Sequence, residues 1–197
     1  IPMNLPMMLT SYLMIITIFI WMKKANYRNL VVALISVLIF QMGSLYSKYE
    51  VQTKEEFIVF NQKKQSLITQ RSASNVIVFT SKKEVKPLNN WSLQSYLVGN
   101  FCNVEKIHSL LNVYYFKGKK IALIDSSGVY LKQIKPDVLI LTQSPKVNLK
   151  RMIEYCQPKQ IVVDASNYIS YKKLWKATCE KEKIPFHDTS EKGFYKL

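Results

Sequence analysis

LPMMLTSYLMIITIFIWM (Leu5–Met22) and LVVALISVLIFQMGSLY (Leu30–Tyr46) stand at the front of the chain, joined only by KKANYRN, residues 23–29. Neither run holds a Lys, Arg, Asp or Glu, whereas the connection holds Lys23, Lys24 and Arg28. A helix of roughly 18 residues, rising 1.5 Å per residue, approaches the ~30 Å hydrocarbon thickness of a bilayer. Both runs are apolar all round, with no polar stripe along Leu13–Ile20, which favours a membrane hairpin over two helices in a soluble core. A signal peptide fits less well, because nothing basic precedes Leu5 and no small-residue cleavage site follows. With Ile1-Pro2 at its start, the sequence reads as part of something longer, and the two spans as the last helices of a larger membrane region. Short loops rich in Lys and Arg stay cytoplasmic, so the connection places everything after Tyr46 on the extracytoplasmic side. Lys48 and Lys54 pull the other way, and a long domain translocates largely regardless of charge.

Residues 47–197 are long enough for one domain with its own core. All 13 acidic residues lie there with 25 of the 28 cations, a surplus of 12 positive charges that suits an anionic partner, nucleic acid or acidic lipid. Of the 28 cations, 25 are Lys, a point charge that favours non-specific phosphate attraction over bidentate base reading. Cys102, Cys156 and Cys179 are odd in number and lack a C-x-x-C spacing, so they indicate neither a zinc knuckle nor a disulfide framework.

Phe57–Phe60 and Ser66–Thr69 are β-type runs split by a polar stretch, a hairpin pattern, and Asn75–Thr80 is a continuous apolar strand. Pro87 and Asn89-Asn90 open a helix over Trp91–Val98, and Val104–Leu111 reads as helical or turn. Asn112–Phe116 and Lys120–Ile124 flank Lys117-Gly118-Lys119 as a second hairpin. The pattern then alternates: strand Asp137–Leu141, a helix started by Ser144-Pro145 with Leu149, Met152, Ile153 and Cys156 on one face, and strand Gln160–Val163. A helix follows with Tyr171, Leu174, Trp175, Thr178 and Cys179 inward and Lys172, Lys173 and Lys176 outward, and Ile184–Phe186 and Gly193–Leu197 close as strands. Hairpins followed by strand–helix units predict an α/β fold, a mixed sheet with helices packed on it.

This order resembles the ComEC family of competence proteins, multi-spanning inner-membrane proteins that pass single-stranded DNA into the cell and carry a metallo-β-lactamase-like domain after the membrane region. Phe60-Asn61-Gln62-Lys63-Lys64-Gln65-Ser66 sits where that domain reads Asp-Val-Gly-Gln-Gly-Asp-Ser. Val76–Ser81 matches a strand ending Asp-x-Gly, Ile121–Asp125 one ending Thr-Gly-Asp, and Gln143-Ser144-Pro145-Lys146 the place of His-His-Gly-Ser. Pro158–Asn167 and Thr189–Gly193 match the closing part. The resemblance implies two transmembrane helices (residues 1–46) followed by a metallo-β-lactamase-like αββα domain (residues 47–197).

The departures carry the functional reading. A metal-dependent hydrolase of this type needs imidazoles and carboxylates converging on zinc or manganese, and the His-x-(His or Asp)-x-Asp-His signature is absent from the chain. Asp125 is the one metal-side carboxylate that survives, while His108 and His187 lie elsewhere and read as structural. No Ser–His or Ser–Lys spacing supplies another nucleophile, and isolated Gly118 and Gly128 make no phosphate loop. The domain is therefore expected to be a degenerate, non-enzymatic copy with no cofactor. Its relic rim holds Asp125, Gln143, Asp164 and Asn167, and Lys63, Lys64, Lys82, Lys83 and Lys146 are the candidate contacts to DNA. Tyr114–Phe116 beside Lys117, Lys119 and Lys120 forms a second candidate platform for single strands. The implied partners are single-stranded DNA, membrane lipid, other competence proteins and the rest of the channel's own membrane region. The alternatives are a membrane-tethered metal-dependent nuclease completed by ligands from another part of the chain, and an unrelated two-span protein with a domain that binds anionic lipid.

Overall fold

The computed structural model describes residues 5–81, 90–129 and 134–197; Lys82 and Lys83 lie outside the described residues. The two apolar runs form an antiparallel helical hairpin, α1 (Leu5–Lys23) and α2 (Tyr27–Thr53), both long and apolar enough to cross a membrane. Ala33 and Ser36 of α2 are buried against α1, where small side chains let the backbones approach. Thr17 and Ser36 hydroxyls bond across this seam at 2.7 Å, while Ile16, Phe19, Ile35 and Leu38 face outward, exposed. Replacing Thr17 by Val should weaken the hairpin by about 0.6 kcal/mol, the mean for such a bond inside a membrane, in a denaturing-detergent titration of the full chain.

Helix α2 continues through Thr53, two turns past the apolar run, and hands over directly to β1 (Glu55–Val59). The first sheet orders β10 (Tyr195–Lys196), β1, β2 (Leu67–Ser72), β3 (Asn75–Thr80) and β4 (Asn103–Ser109), antiparallel throughout except for the parallel β3–β4 pair. The second orders β5 (Val113–Phe116), β6 (Lys119–Ile124), β7 (Val138–Leu141), β8 (Gln160–Val163) and β9 (Phe186–Asp188), parallel except for the β5–β6 hairpin. Side chains alternate across a strand, so each strand serves two layers. Phe57, Ile68 and Phe79 of the first sheet meet Tyr114, Leu123 and Ile140 of the second in a shared core. Tyr114 packs edge-on against Phe57 and Phe79 with ring centroids 5.5 and 4.9 Å away, and burial pushes its phenol up to about 12.

The alternate residues face outward onto helices. Ile58, Leu67 and Val78 pack beneath α3 (Trp91–Gly99). Leu139, Leu141, Ile161 and Val163 pack beneath α4 (Leu149–Cys156) and α5 (Ile169–Lys181). The layers thus run helix, sheet, sheet, helices. Strands covered on both faces read as unbroken apolar runs, which is why Val138–Leu141 and Gln160–Val163 are recognisable in the sequence. Cys102, Cys156 and Cys179 are all free and buried among these layers.

Four expectations need correction. Val104–Leu111 is neither helix nor turn: most of it is β4, an edge strand whose mostly exposed side chains give no alternation to read. Ser144-Pro145 does not start α4. Gln143 and Ser144 adopt left-handed backbone, φ 60° and 55°, and the helix begins at Leu149 with Asn148 Oδ1 accepting from Arg151 N at 3.1 Å. On α5, Leu174 is exposed and the Lys172 side chain is largely covered, its ammonium 3.1 Å from Asp188. The short helix α6 (Thr189–Lys192) supplies the residues that draw Lys172 and Lys176 in, through Ser190 and Glu191.

Candidate functional site

Strands β2, β7 and β8 bring one end of each sheet together, and small polar residues sit at each strand terminus there. Ser66 precedes β2, Thr142 follows β7, and Asp164, Ser166 and Asn167 follow β8. Ser66 and Thr142 hydroxyls bond directly across the two sheets, with Ser166 3.3 and 3.1 Å from each. Asp164 anchors the group. Its Oδ1 accepts from Ser166 N (3.1 Å), Ser166 Oγ (2.6 Å) and Asn167 Nδ2 (2.9 Å), and its Oδ2 from Thr142 Oγ1 (2.8 Å). Burial raises the carboxyl above its ordinary range, against the pull of the Ser166, Ser66 and Thr142 hydrogen bonds.

The knot fixes the loops around it. Ser166 Oγ accepts from Gln143 N at 2.8 Å and Asn167 Oδ1 from Ser144 N at 2.7 Å, which holds the left-handed Gln143-Ser144 pair. Ser81 Oγ accepts from Ser66 N at 3.1 Å. Ser126 donates to Gln143 Oε1 at 3.4 Å, joining the ends of β6 and β7. The structure therefore brings Gln143, Asp164 and Asn167 into one network and places Asp125 at its edge. There Asp125 Oδ1 accepts from Ser127 N and Ser127 Oγ, at 2.9 and 2.5 Å, closing its own turn.

Zinc and manganese need several free carboxylate or imidazole donors at one point. Here Asp164 spends both oxygens on four hydrogen bonds and its neighbours are hydroxyls and an amide, so the knot does not fit a divalent cation. Among the described residues no group of three or more His, Cys, Asp and Glu converges to hold one. His108 lies on β4 with its ring 6.0 Å from that of Phe79, and His187 Nε2 sits 3.1 Å from the Gly193 carbonyl.

Lys63 and Lys64 are exposed on the loop between β1 and β2. That loop is pinned on one side by Ser66 in the knot and on the other by Gln62 Nε2, which donates to Asn90 Oδ1 at the N-cap of α3 (3.2 Å). Lys146 is placed differently: it lines a groove of about 510 Å³ between α4 and α5, with Lys150 and Leu174. The second candidate platform does not form, because Tyr114 and Phe116 are core residues and Tyr115 alone is exposed.

A second polar cluster escapes any reading of motifs. Arg71 of β2 is fully buried and gives Nε to Ala73 O (2.7 Å), Nη1 to Asn100 Oδ1 (3.1 Å) and Nη2 to Val51 O in the last turns of α2 (3.2 Å). Its Nη1 lies 3.6 Å from Glu56, which also takes Lys196 at 2.6 Å and the Tyr96 hydroxyl at 2.8 Å. Burial would raise the Glu56 carboxyl, but Lys196, Tyr96 and Arg71 together hold it below the ordinary value. The one clue in the sequence is an Arg inside a strand, in a chain whose cations are nearly all Lys.

No curated protein and no solved structure matches the chain. The model of the ComEC C-terminal domain matches residues 57–197, from β1 to the last residue of the chain. With two exposed, membrane-length apolar helices leading into that region, the chain is a membrane protein. It belongs to the ComEC family of competence and DNA-uptake proteins, whose C-terminal domain it carries.

Proposed function

We propose that this chain is the C-terminal part of a multi-pass DNA-uptake channel of the bacterial inner membrane, and that its soluble domain is a degenerate metallo-β-lactamase-like fold that handles DNA without cutting it. The observation that carries the reading is the knot. Where the resemblance puts a metal-bound water, a saturated set of hydroxyls around Asp164 ties the two sheets together. It leaves no carboxylate oxygen free and supplies stiffness at the rim where Lys63 and Lys64 project. The three cations of the 23–29 connection support an extracytoplasmic position for the domain, where an incoming strand first meets it.

The test is binding of single-stranded oligonucleotides by the full chain in nanodiscs, with and without added zinc or manganese. Binding should be indifferent to sequence and weaken steeply with salt, and neither metal should induce cleavage. Replacing Lys63 and Lys64 by Ala should lower the salt slope by about 1.4, two phosphate contacts at roughly 0.7 each for single strands. Replacing the exposed Lys181 and Lys183 should lower it less. Equal losses from both pairs would point to diffuse charge and remove the rim from the reading. Metal-dependent cleavage abolished by Asp125→Ala would replace it with the nuclease.

A further inference from the structure

The corner that ends α3 lies against the part of α2 just beyond its apolar run. Gly99, Asn100 and Phe101 line a small cleft with Ser47, Glu50 and Val51, and Arg71 bridges Asn100 to the Val51 carbonyl. Ser47, on this cleft, is buried, although its neighbours Tyr46, Lys48 and Tyr49 are exposed. Residues 47–51 stand about 1.5–8 Å past Tyr46 along the helix, and the headgroup layer is roughly 5–8 Å thick on each side. A membrane span of α2 that ends at Tyr46 would put the corner at headgroup depth. The corner presents apolar surface there: Val98 is 55% exposed and Phe101 38%. Phe101 sits at φ 53°, a conformation that costs a bulky side chain energy and that the packing of the corner maintains. Tyr46 and Tyr49, 71% and 66% exposed on α2, stand at the same level, where amphipathic rings gather in membrane proteins.

We propose that the Val98–Phe101 corner is seated in the headgroup layer of the leaflet from which α2 emerges, forming with Tyr46 and Tyr49 a lipid-binding edge that lays the domain on the membrane. This rests on α1 and α2 spanning the bilayer. The occupant is lipid because the corner shares a cleft with the end of α2 and is fixed to it by the buried Arg71. Lys48, exposed beside Tyr49, adds attraction for anionic headgroups.

Spin labels placed on the full chain in phosphatidylethanolamine–phosphatidylglycerol liposomes test it. Cysteines introduced at Phe101, Val98, Ile16 and Ser190 can be labelled beside three native cysteines that are buried. The ratio of collisions with oxygen to collisions with a water-soluble nickel chelate reports depth. Labels at Phe101 and Val98 should give ratios several-fold above that at Ser190 and below that at Ile16. Ratios equal to that at Ser190, with Ile16 deep, would overturn the lipid edge alone. Shielding from both colliders would overturn it in favour of a protein covering the corner, and an aqueous Ile16 would overturn the spanning reading as well. Val98 substitution removes only exposed methyl groups, so it serves if the Phe101 variant does not fold.

Discussion

Arg71→Met should cost the domain about 3–5 kcal/mol and loosen the end of α2, because it breaks a buried ion pair on one side only. Glu56 would keep Lys196 and Tyr96 but lose the guanidinium, while the Ala73 carbonyl and the Asn100 side chain would lose a donor in a buried setting. The Val51 carbonyl, in the last turns of α2, would keep only the Lys54 N–H at 3.4 Å, so the same substitution weakens the hold on the helix end. Denaturant unfolding of the full chain in nanodiscs, followed by hydrogen exchange at residues 47–54, checks both parts. Arg71→Lys should recover little, since an ammonium cannot reach four acceptors in a fork geometry. An unfolding midpoint equal to that of the parent, with unchanged protection at 47–54, would show that the cluster does not bind α2 to the sheet.

The second large effect is expected at Asp164. Asp164→Ala removes the acceptor of Thr142 Oγ1 and of Ser166 N and Oγ, while Asn167 Nδ2 keeps the Leu141 and Asp164 carbonyls. Each unmet buried group costs roughly 1–3 kcal/mol, so a loss of at least about 2 kcal/mol is expected. Asp164→Asn keeps an acceptor for Ser166 and Asn167 and lets Thr142 turn to accept from the amide. The pH dependence separates the two roles of the carboxyl. Because the folded chain holds this proton more tightly than the unfolded chain, the stabilisation it gives is full below the unfolded carboxyl value, near 4, and is lost as pH rises through the folded value. The Asn variant lacks this loss, so its stability relative to the parent should climb as pH rises from about 4. Glu56 acts oppositely: its lowered value stabilises above the unfolded carboxyl range, and this is lost as pH falls through the folded value. A parent and an Asn variant with parallel pH profiles would mean that Asp164 is ionised as readily when buried as in water.

Most of the architecture was legible because both faces of the central strands are covered, which writes Val138–Leu141 and Gln160–Val163 as plain apolar runs. The stripe Leu149, Met152, Ile153 and Cys156 was legible for the complementary reason, one buried face at helical spacing. Strand β4 was not, since a mostly exposed edge strand carries no hydrophobic period. The chemistry of the polar knot was not legible. Asp164, Asn167 and Gln143 stand at strand ends where the rim was expected, yet the hydroxyls that bind them, Ser66, Thr142 and Ser166, are ordinary residues with no motif. Spacing along the chain cannot reveal a bond across 76 residues between two sheets.

The three thiols have a consequence for where such a domain can work. Burial pushes Cys179 up to about 12 and raises Cys102 and Cys156 as well. Each therefore stays in the thiol form at pH 7, whereas it is the thiolate that attacks oxidants and disulfides. All three thiols are free and buried, away from solvent oxidants. The domain needs no bridge to be made and offers none to be reduced, so the same fold serves in a reducing cytoplasm or an oxidising exterior.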